Sequence, residues 1–422
     1  MKNVYKGILA VCLGVVGSLT ARAQFGNTSY GIGALASSSP NESNSAFGYG
    51  VLYFNTTGFD NTAVGDYSLY FNTTGHDNTA TGFEALYYNT IGVANTATGV
   101  AALVSNTTGS DNTATGLGAL SRNTSGNSNT ATGFQALTYN TTGLYNTATG
   151  GNALELNTTG VDNTATGYDA LNFNTTGIYN TANGFAALAA NTTGKSNTAD
   201  GLQALVNNTI GSYNTAAGIG TLNDNTTGNY NVGIGYFGGY LSTTGSNNIA
   251  ISNYGTASDN GVVRIGTAGS QTSFFAAGIS GVQVSGVPVY VASNGQLGTL
   301  NSSIRFKEDV HDMADASIRL FQLRPVTYRY KQAFADGSKP IDYGLIAEEV
   351  AQVYPDMVAR DASGEILTVQ YQKLTPMLLN ELQKQHRQLE AQQQIIERLE
   401  QRLSTLEAAG APSNNAVAQS AN

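Results

Sequence analysis

Apolar residues along most of this chain recur neither every two nor every 3.6 positions, but once per 17. Copies of one template start at Asn55, Asn72, Asn89, Asn106, Asn123, Asn140, Asn157, Asn174, Asn191, Asn208 and Asn225. The template is N-T-T-G-x-x-N-T-A-T-G-φ-x-A-L-x-x. Its apolar positions are Ala at 9, mostly Ala at 14, Leu at 15 (Leu69 through Leu222) and a mixed residue at 12. A strict short period without helix formers predicts stacked supersecondary units. Two glycines per copy, such as Gly58 and Gly65, mark turns that need positive φ or close backbone approach. In register, Asn61, Asn78 and Asn95 would form an amide ladder. The pattern predicts a parallel β-solenoid or β-roll, one copy per coil, roughly 50 Å long for eleven rungs about 4.8 Å apart.

The pattern changes on either side of this block. Residues 24–54 form a Gly/Ser/Asn-rich lead-in, in which Ser45-Ala46-Phe47-Gly48 already matches half a copy. Past Gly228 the repeat decays, so the passenger is placed at 55–250. Residues 251–301 read as a β stalk with short strands at Val262–Ile265, Ser273–Ala277, Val282–Val284 and Val287–Val291. From 302 to 372 the chain reads as a small α+β domain. Met313–Leu323 has helical apolar spacing, Val326–Tyr330 and Ile366–Tyr371 are strand-like, and Leu345–Val353 starts extended and turns helical. Residues 373–407 predict a coiled-coil helix, with Leu382, Leu389, Ile396 and Leu403 at a and Leu378, Leu399 and Leu406 at d. Gln385 and Gln392 occupy the other d positions. The tail, 408–422, is Ala/Ser/Asn-rich and expected to be disordered. The fold class is therefore mainly β with a small α+β domain behind it.

Charge divides the chain at the same place. Residues 24–301 hold 3 Lys/Arg and 12 Asp/Glu, whereas 302–422 hold 13 and 16. With a net charge of −9 the chain is a poor nucleic-acid partner. Residues 1–23 read as a secretory signal peptide: Lys2 and Lys6, an apolar stretch over Gly7–Thr20, and the small-x-small site Ala21-Arg22-Ala23. That apolar run, about 14 residues, is short of the roughly 20 a membrane span needs, and no second one follows, so a secreted or cell-surface chain with no transmembrane segment is expected. Cys12 is the single cysteine and lies in this leader, so disulfides and Cys-based metal sites are not expected. His76, His311 and His386 are scattered without metal-ligand spacing. No cofactor is expected.

Each copy carries little apolar area for 17 residues to order. A single thin coil reads as marginal, and three chains sharing the Ala/Leu stripe would cover it, so a homotrimer is expected. The repeats resemble the β-roll heads of trimeric autotransporter adhesins, rich in Asn-x-Ala-x-Gly, although those repeats are usually shorter. The Asn-Thr-Thr sequons read as structural at this period. Two Thr ranks (Thr79/Thr81, Thr96/Thr98, Thr113/Thr115) resemble an ice-binding face but break at Asn183, Asp200 and Ala217. Tyr88, Tyr139, Phe71 and Phe173 are candidates for stacking on a glycan, against packing between rungs.

The junction Asn301-Ser302-Ser303-Ile304-Arg305-Phe306-Lys307 carries candidate chemistry. A serine hydroxyl becomes a nucleophile when a base takes its proton, and a desolvated, neutral lysine can be that base. On one helix a five-residue spacing would set the two side chains about 140° apart, so a dyad needs a turn or a neighbouring chain. Ser302 through Val310 resembles the opening motif of the endosialidase-type intramolecular chaperone domain, the self-cleaving C-terminal segment of phage tail spikes, some surface fibres and myelin regulatory factor. The resemblance continues through Leu323-Arg324-Pro325-Val326-Thr327-Tyr328-Arg329-Tyr330, Tyr343-Gly344-Leu345-Ile346-Ala347-Glu348-Glu349-Val350, Val353-Tyr354-Pro355 and Val369-Gln370-Tyr371. It implies a trimer whose C-terminal domain assists folding and then cuts itself off. It further implies that Ser302 is the nucleophile, Lys307 the base and Asn301 the residue before the cut. The family often has Asp after the serine; Ser303 stands there and is a second candidate nucleophile.

Two function classes follow. One is an adhesin-like surface fibre with a self-removing chaperone, or its alternative, a secreted binding or carbohydrate-active fibre whose C-terminal domain trimerises without cutting; the other is a secreted enzyme acting on an external substrate. The passenger shows no repeated acid pair and no His/Ser set for catalysis on an external substrate.

Overall fold

The computed structural model describes residues 22–410 except 25, 39–41, 272, 277–278, 280–284, 293, 335 and 362. The expected leader lies outside them but for Arg22 and Ala23, which with Gln24 form a strand antiparallel to Asn27–Tyr30. The expected tail is described only at 408–410. The chain falls into two units, divided after Phe275.

The first unit is a β-solenoid built on a 16-stranded sheet whose strands follow one another in chain order. From Asn27–Tyr30 onward every pair is parallel and in register, as in Thr164↔Thr181 and Ala165↔Ala182. The sheet runs beyond the strict repeat at both ends: Asn27–Tyr30 and Ser45–Phe47 already stack in it, and Val263–Ile265 closes it. Each strand is a Thr-Ala-Thr or its equivalent, with the central residue turned inward and its neighbours outward. Alternation with period two sends the small alanine into the lumen.

Away from the sheet the coil turns through left-handed residues. In one copy these are Asp77 (φ 56), Glu84 (φ 56) and Leu86 (φ 53). An L residue in this region costs about 1–2 kcal/mol. Hydrogen bonds between coils offset that cost. Leu86 N–H donates to the Ala102 carbonyl at 3.0 Å in the next coil, and Glu84 N–H to the Asp66 carbonyl at 3.1 Å in the previous one. Gly82 (φ 135) has no tolerance for a side chain, because a Cβ would lie 2.5 Å from the Gly99 carbonyl oxygen.

The lumen is closed within one chain. Ala80, Ala85 and Leu86, and their equivalents from Ala63 to Leu205, are fully buried. The expectation that a thin coil needs partner chains to cover its Ala/Leu stripe is therefore corrected. Two rows of asparagine fill the rest of the cross-section. Asn72 Nδ2 donates to Asn55 Oδ1 (2.7 Å) and to the Gly75 carbonyl (2.9 Å). Asn78 Nδ2 donates to Asn61 Oδ1 (3.1 Å) and to the Gly92 carbonyl (2.9 Å). Buried polar groups that are fully paired substitute for missing apolar volume.

The second unit is α+β. A hairpin pairs Tyr290–Val291 with Leu297–Gly298. Of the expected stalk strands, the described residues 273–276 form none and Val282–Val284 lie outside the described residues. Val287–Val291 shortens to its last two positions, where alone a partner strand is found. Val326–Tyr328 pairs with Asp342–Gly344, and Val358–Arg360 with Ile366–Val369, both antiparallel. Helix α1 (Ala347–Val353) lies between these hairpins in sequence, and α2 (Tyr371–Gly410) follows. The segment Ala314–Gln322 winds as a 3-10 helix. Val350, Met357, Val358 and Val369 make the small core. The a and d residues Leu382, Leu389, Ile396, Leu399, Leu403 and Leu406 are exposed along one chain's α2. Among the described residues, no helix is long and apolar enough to cross a membrane.

Candidate self-cleavage site

The junction closes a single tight turn just after Ser302. Ile304–Phe306 is a 3-10 turn with Ser303 as its N-cap (φ −62, ψ 141), and Lys307 leaves it extended (φ −127, ψ 140). Serine suits this position because its oxygen can take up an otherwise unpaired N–H at the start of a turn. Ser303 Oγ accepts from Arg305 N–H (3.4 Å) and Arg305 Nε (3.3 Å). Lys307 N–H closes the turn on the Ile304 carbonyl at 3.2 Å. The five-residue spacing from Ser302 to Lys307 is thus not carried on one helix.

Asn301, Ser302 and Lys307 are all exposed in the single chain. No hydrogen bond joins the Ser302 hydroxyl to Lys307 among the described residues. The fold brings these residues onto one short loop without assembling a dyad. A neutral lysine needs a dry surrounding, and within one chain nothing described covers Lys307.

The segment that follows the junction is tied to α2 by a polar network that the residue pattern did not announce. Ser317, on the 3-10 helix, is buried and donates to Glu381 Oε1 at 2.6 Å. Asn380 Nδ2 donates to Ser317 Oγ (2.6 Å) and to the Ala314 carbonyl (2.9 Å). Lys384 closes the network on Glu381 (2.9 Å) and Asp315 (3.2 Å). The Ser317 hydroxyl bond, and then Lys384, hold the Glu381 carboxyl below its ordinary range, while Glu381 raises Lys384. The only cue in the sequence was polar residues interrupting an apolar helical face. Arg324 holds Glu349 of α1 through two guanidinium bonds and lowers its pKa.

On the solenoid, rings stack on one another from rung to rung. Phe54–Phe71 centroids lie 5.3 Å apart at 2°, and Phe71–Tyr88 5.5 Å apart at 4°. They border an open groove with Thr56, Thr73 and Thr90. Arg122 lies over the Tyr139 ring at 4.2 Å. Among the described residues, no group of three His, Cys, Asp or Glu can hold a metal ion.

Residues 302–359 match the family model described as chaperone of endosialidase, Peptidase_S74. The match starts at Ser302 and covers the turn, the 3-10 helix, the hairpin of Val326–Tyr328 with Asp342–Gly344, and α1. No curated protein matches the chain, and no solved structure does. A segment that matches the chaperone-of-endosialidase model thus follows, in sequence, a β-solenoid of 17-residue coils. The match implies a C-terminal intramolecular chaperone for a fibre-like passenger, and with it trimer formation.

Proposed function

We propose that this chain is a secreted surface fibre whose C-terminal segment assembles three copies, nucleates their solenoids and then cuts itself off between Asn301 and Ser302. The match over residues 302–359, C-terminal to a solenoid in the same chain, carries the reading. The open heptad seam of α2 supports it, because a row of exposed leucines is what like helices cover. Ser302 acts as nucleophile and Lys307 as base, in a single turnover on the chain's own backbone. Ser303 is left its capping role, which its bonds to Arg305 support. Lys307 is exposed in one chain, so assembly supplies the desolvation that makes it a base.

Coils stack only on neighbours, so starting three chains in register is the difficult step. Deleting 302–422 tests the chaperone role: aggregated or misregistered passenger is expected. The same protease-resistant trimer, at similar yield without the segment, would overturn it.

A cell-surface glycan is the passenger ligand this reading favours, and the half-exposed rings of Phe54 and Tyr88 beside a threonine row support it. Loss of glycan-array signal in Phe54→Ala and Tyr88→Ala is the check.

A further inference from the structure

The outward face of the solenoid sheet changes character near its C-terminal end. From Thr62 to Thr215 the first outward residue of every strand is threonine. At the next three strands it becomes Val232, Ile249 and Val263, and the second outward residue becomes Ile234, Ile251 and Ile265. The strands stay parallel and in register through this change. Threonine and valine have nearly the same branched shape, so the solenoid's own packing does not ask for the switch. The lumen is filled by the alternate residues, Gly233 and Ala250, on the other face. Trading a hydroxyl for a methyl here gains from apolar neighbours, on the adjoining rung or outside the coil.

Four of the six side chains are well exposed: Ile234 42%, Ile249 37%, Val263 61% and Ile265 55%. They form a flat block three strands wide, roughly 10 Å by 7 Å between side-chain origins. The block stands out against a sheet face that is otherwise lined by threonine. The block carries no charge on its outward face. The charged side chain in these strands, Arg264, is paired with Asp259 through two bonds of 2.6 Å. Absence of like charge is what a face needs to meet its own copy.

We infer that this aliphatic block is the seam at which three solenoids of this chain meet, side by side and in the same register. The inference rests on the trimer of the proposed function. Identical copies bring the block to the same rung in each chain, and flat sheet faces pack directly on one another. A second apolar line exists on a turn, and includes Leu117, Phe134 and Phe185. It is broken by Asp66 and Gly151, and its rings lean on each other, as Tyr168 and Phe185 do at 5.8 Å. Part of that line therefore packs ring on ring within one chain, whereas the block is aliphatic throughout.

The chain's single cysteine, Cys12, lies in the expected leader, so the mature chain can take one engineered thiol. Ile249→Cys, Val263→Cys and Phe134→Cys are made separately in the mature full-length chain, and treated with a short bis-maleimide. The inference expects covalent dimers from Ile249→Cys and Val263→Cys on the order of 100-fold faster than from Phe134→Cys, the ratio of a millimolar effective concentration to a bulk one. A trimer by light scattering that links Phe134→Cys as fast, or leaves both block variants unlinked, overturns the seam and keeps the trimer. A monomer by light scattering overturns the trimer itself.

Discussion

The side-chain amide of Asn146 donates to Oδ1 of Asn129, one coil earlier, at 3.1 Å, and to the Gly160 carbonyl, in the next coil, at 2.8 Å. One buried residue thus joins three successive coils. Asn146→Asp replaces the donor with a carboxylate facing two acceptors. An uncompensated buried charge of this kind costs about 3–5 kcal/mol, and Asn146→Ala, which leaves acceptors unpaired, about 1–3 kcal/mol. Urea unfolding of the solenoid should rank wild type above Ala and Ala above Asp. An Asp variant as stable as wild type would mean that the ladder is not buried.

Glycine supplies a second, sharper comparison. Gly133 (φ 140) faces the next coil so closely that a Cβ would sit 2.4 Å from the Gly150 carbonyl oxygen. Gly118 (φ 68) has only Gln135 Cγ near, at 3.7 Å, and equivalent positions elsewhere hold Glu84, Gln135 and Asp169. Gly118→Ala should cost no more than about 1–2 kcal/mol, the left-handed penalty. Gly133→Ala adds a backbone clash that must push two coils apart, and its cost should exceed that of Gly118→Ala clearly. Thermal unfolding of both variants side by side is the measurement. Equal losses would remove coil-to-coil contact as the reason for this glycine.

Why the period was legible and the turns were not follows from these residues. Every coil repeats the same inward Ala and Leu, so Ala165 and Ala182 had to share a face, and Asn61 and Asn78 a ladder. Leucine, in contrast, avoids positive φ, and nothing about Leu86 announces that it sits at 53°. Its conformation is imposed by hydrogen bonds to neighbouring coils, which no single copy contains. The same holds for closure of the lumen by one chain, because the volume filled by asparagine looks polar in the sequence. Around residue 302 the motif was readable as a string. Its geometry was not: Ser302 and Lys307 lie exposed on either side of a tight turn, an arrangement their spacing does not announce.

Acid should loosen the end of the solenoid. Asp259 accepts from Arg264 and Thr256, and the Arg264 bond is the main cause that lowers its pKa to about 2. A carboxylate depressed on folding contributes stability above its unfolded value, about 3.9, and loses it as pH falls through the folded one. The opening free energy of Val263–Ile265, taken from hydrogen exchange after division by the intrinsic rate at each pH, should therefore be flat above pH 5 and fall between about pH 4 and 2. Asp259→Asn should remove that acid step. A variant that keeps the full step would place its origin elsewhere.

The cut itself is the last prediction. If Ser302 attacks the Asn301 carbonyl with Lys307 as base, the fragments are residues 24–301 and 302–422, the second starting at Ser302. Ser302→Ala should leave a full-length chain that folds and assembles but does not separate, and Lys307→Ala the same. Ser303→Ala should still cut, with some loss of the Ile304–Phe306 turn whose Arg305 N–H it caps. The lysine must be desolvated, so cleavage should follow assembly and slow when α2 is kept apart by Leu389→Asp. Asn-Ser bonds also break through a succinimide, over days, without base or trimer. That route would survive both Ser302→Ala and Lys307→Ala. N-terminal sequencing of the small fragment, with cleavage timed in all four variants, separates the two. Unchanged cleavage in Ser302→Ala, or a fragment that starts elsewhere, would leave Lys307 no role in the reaction.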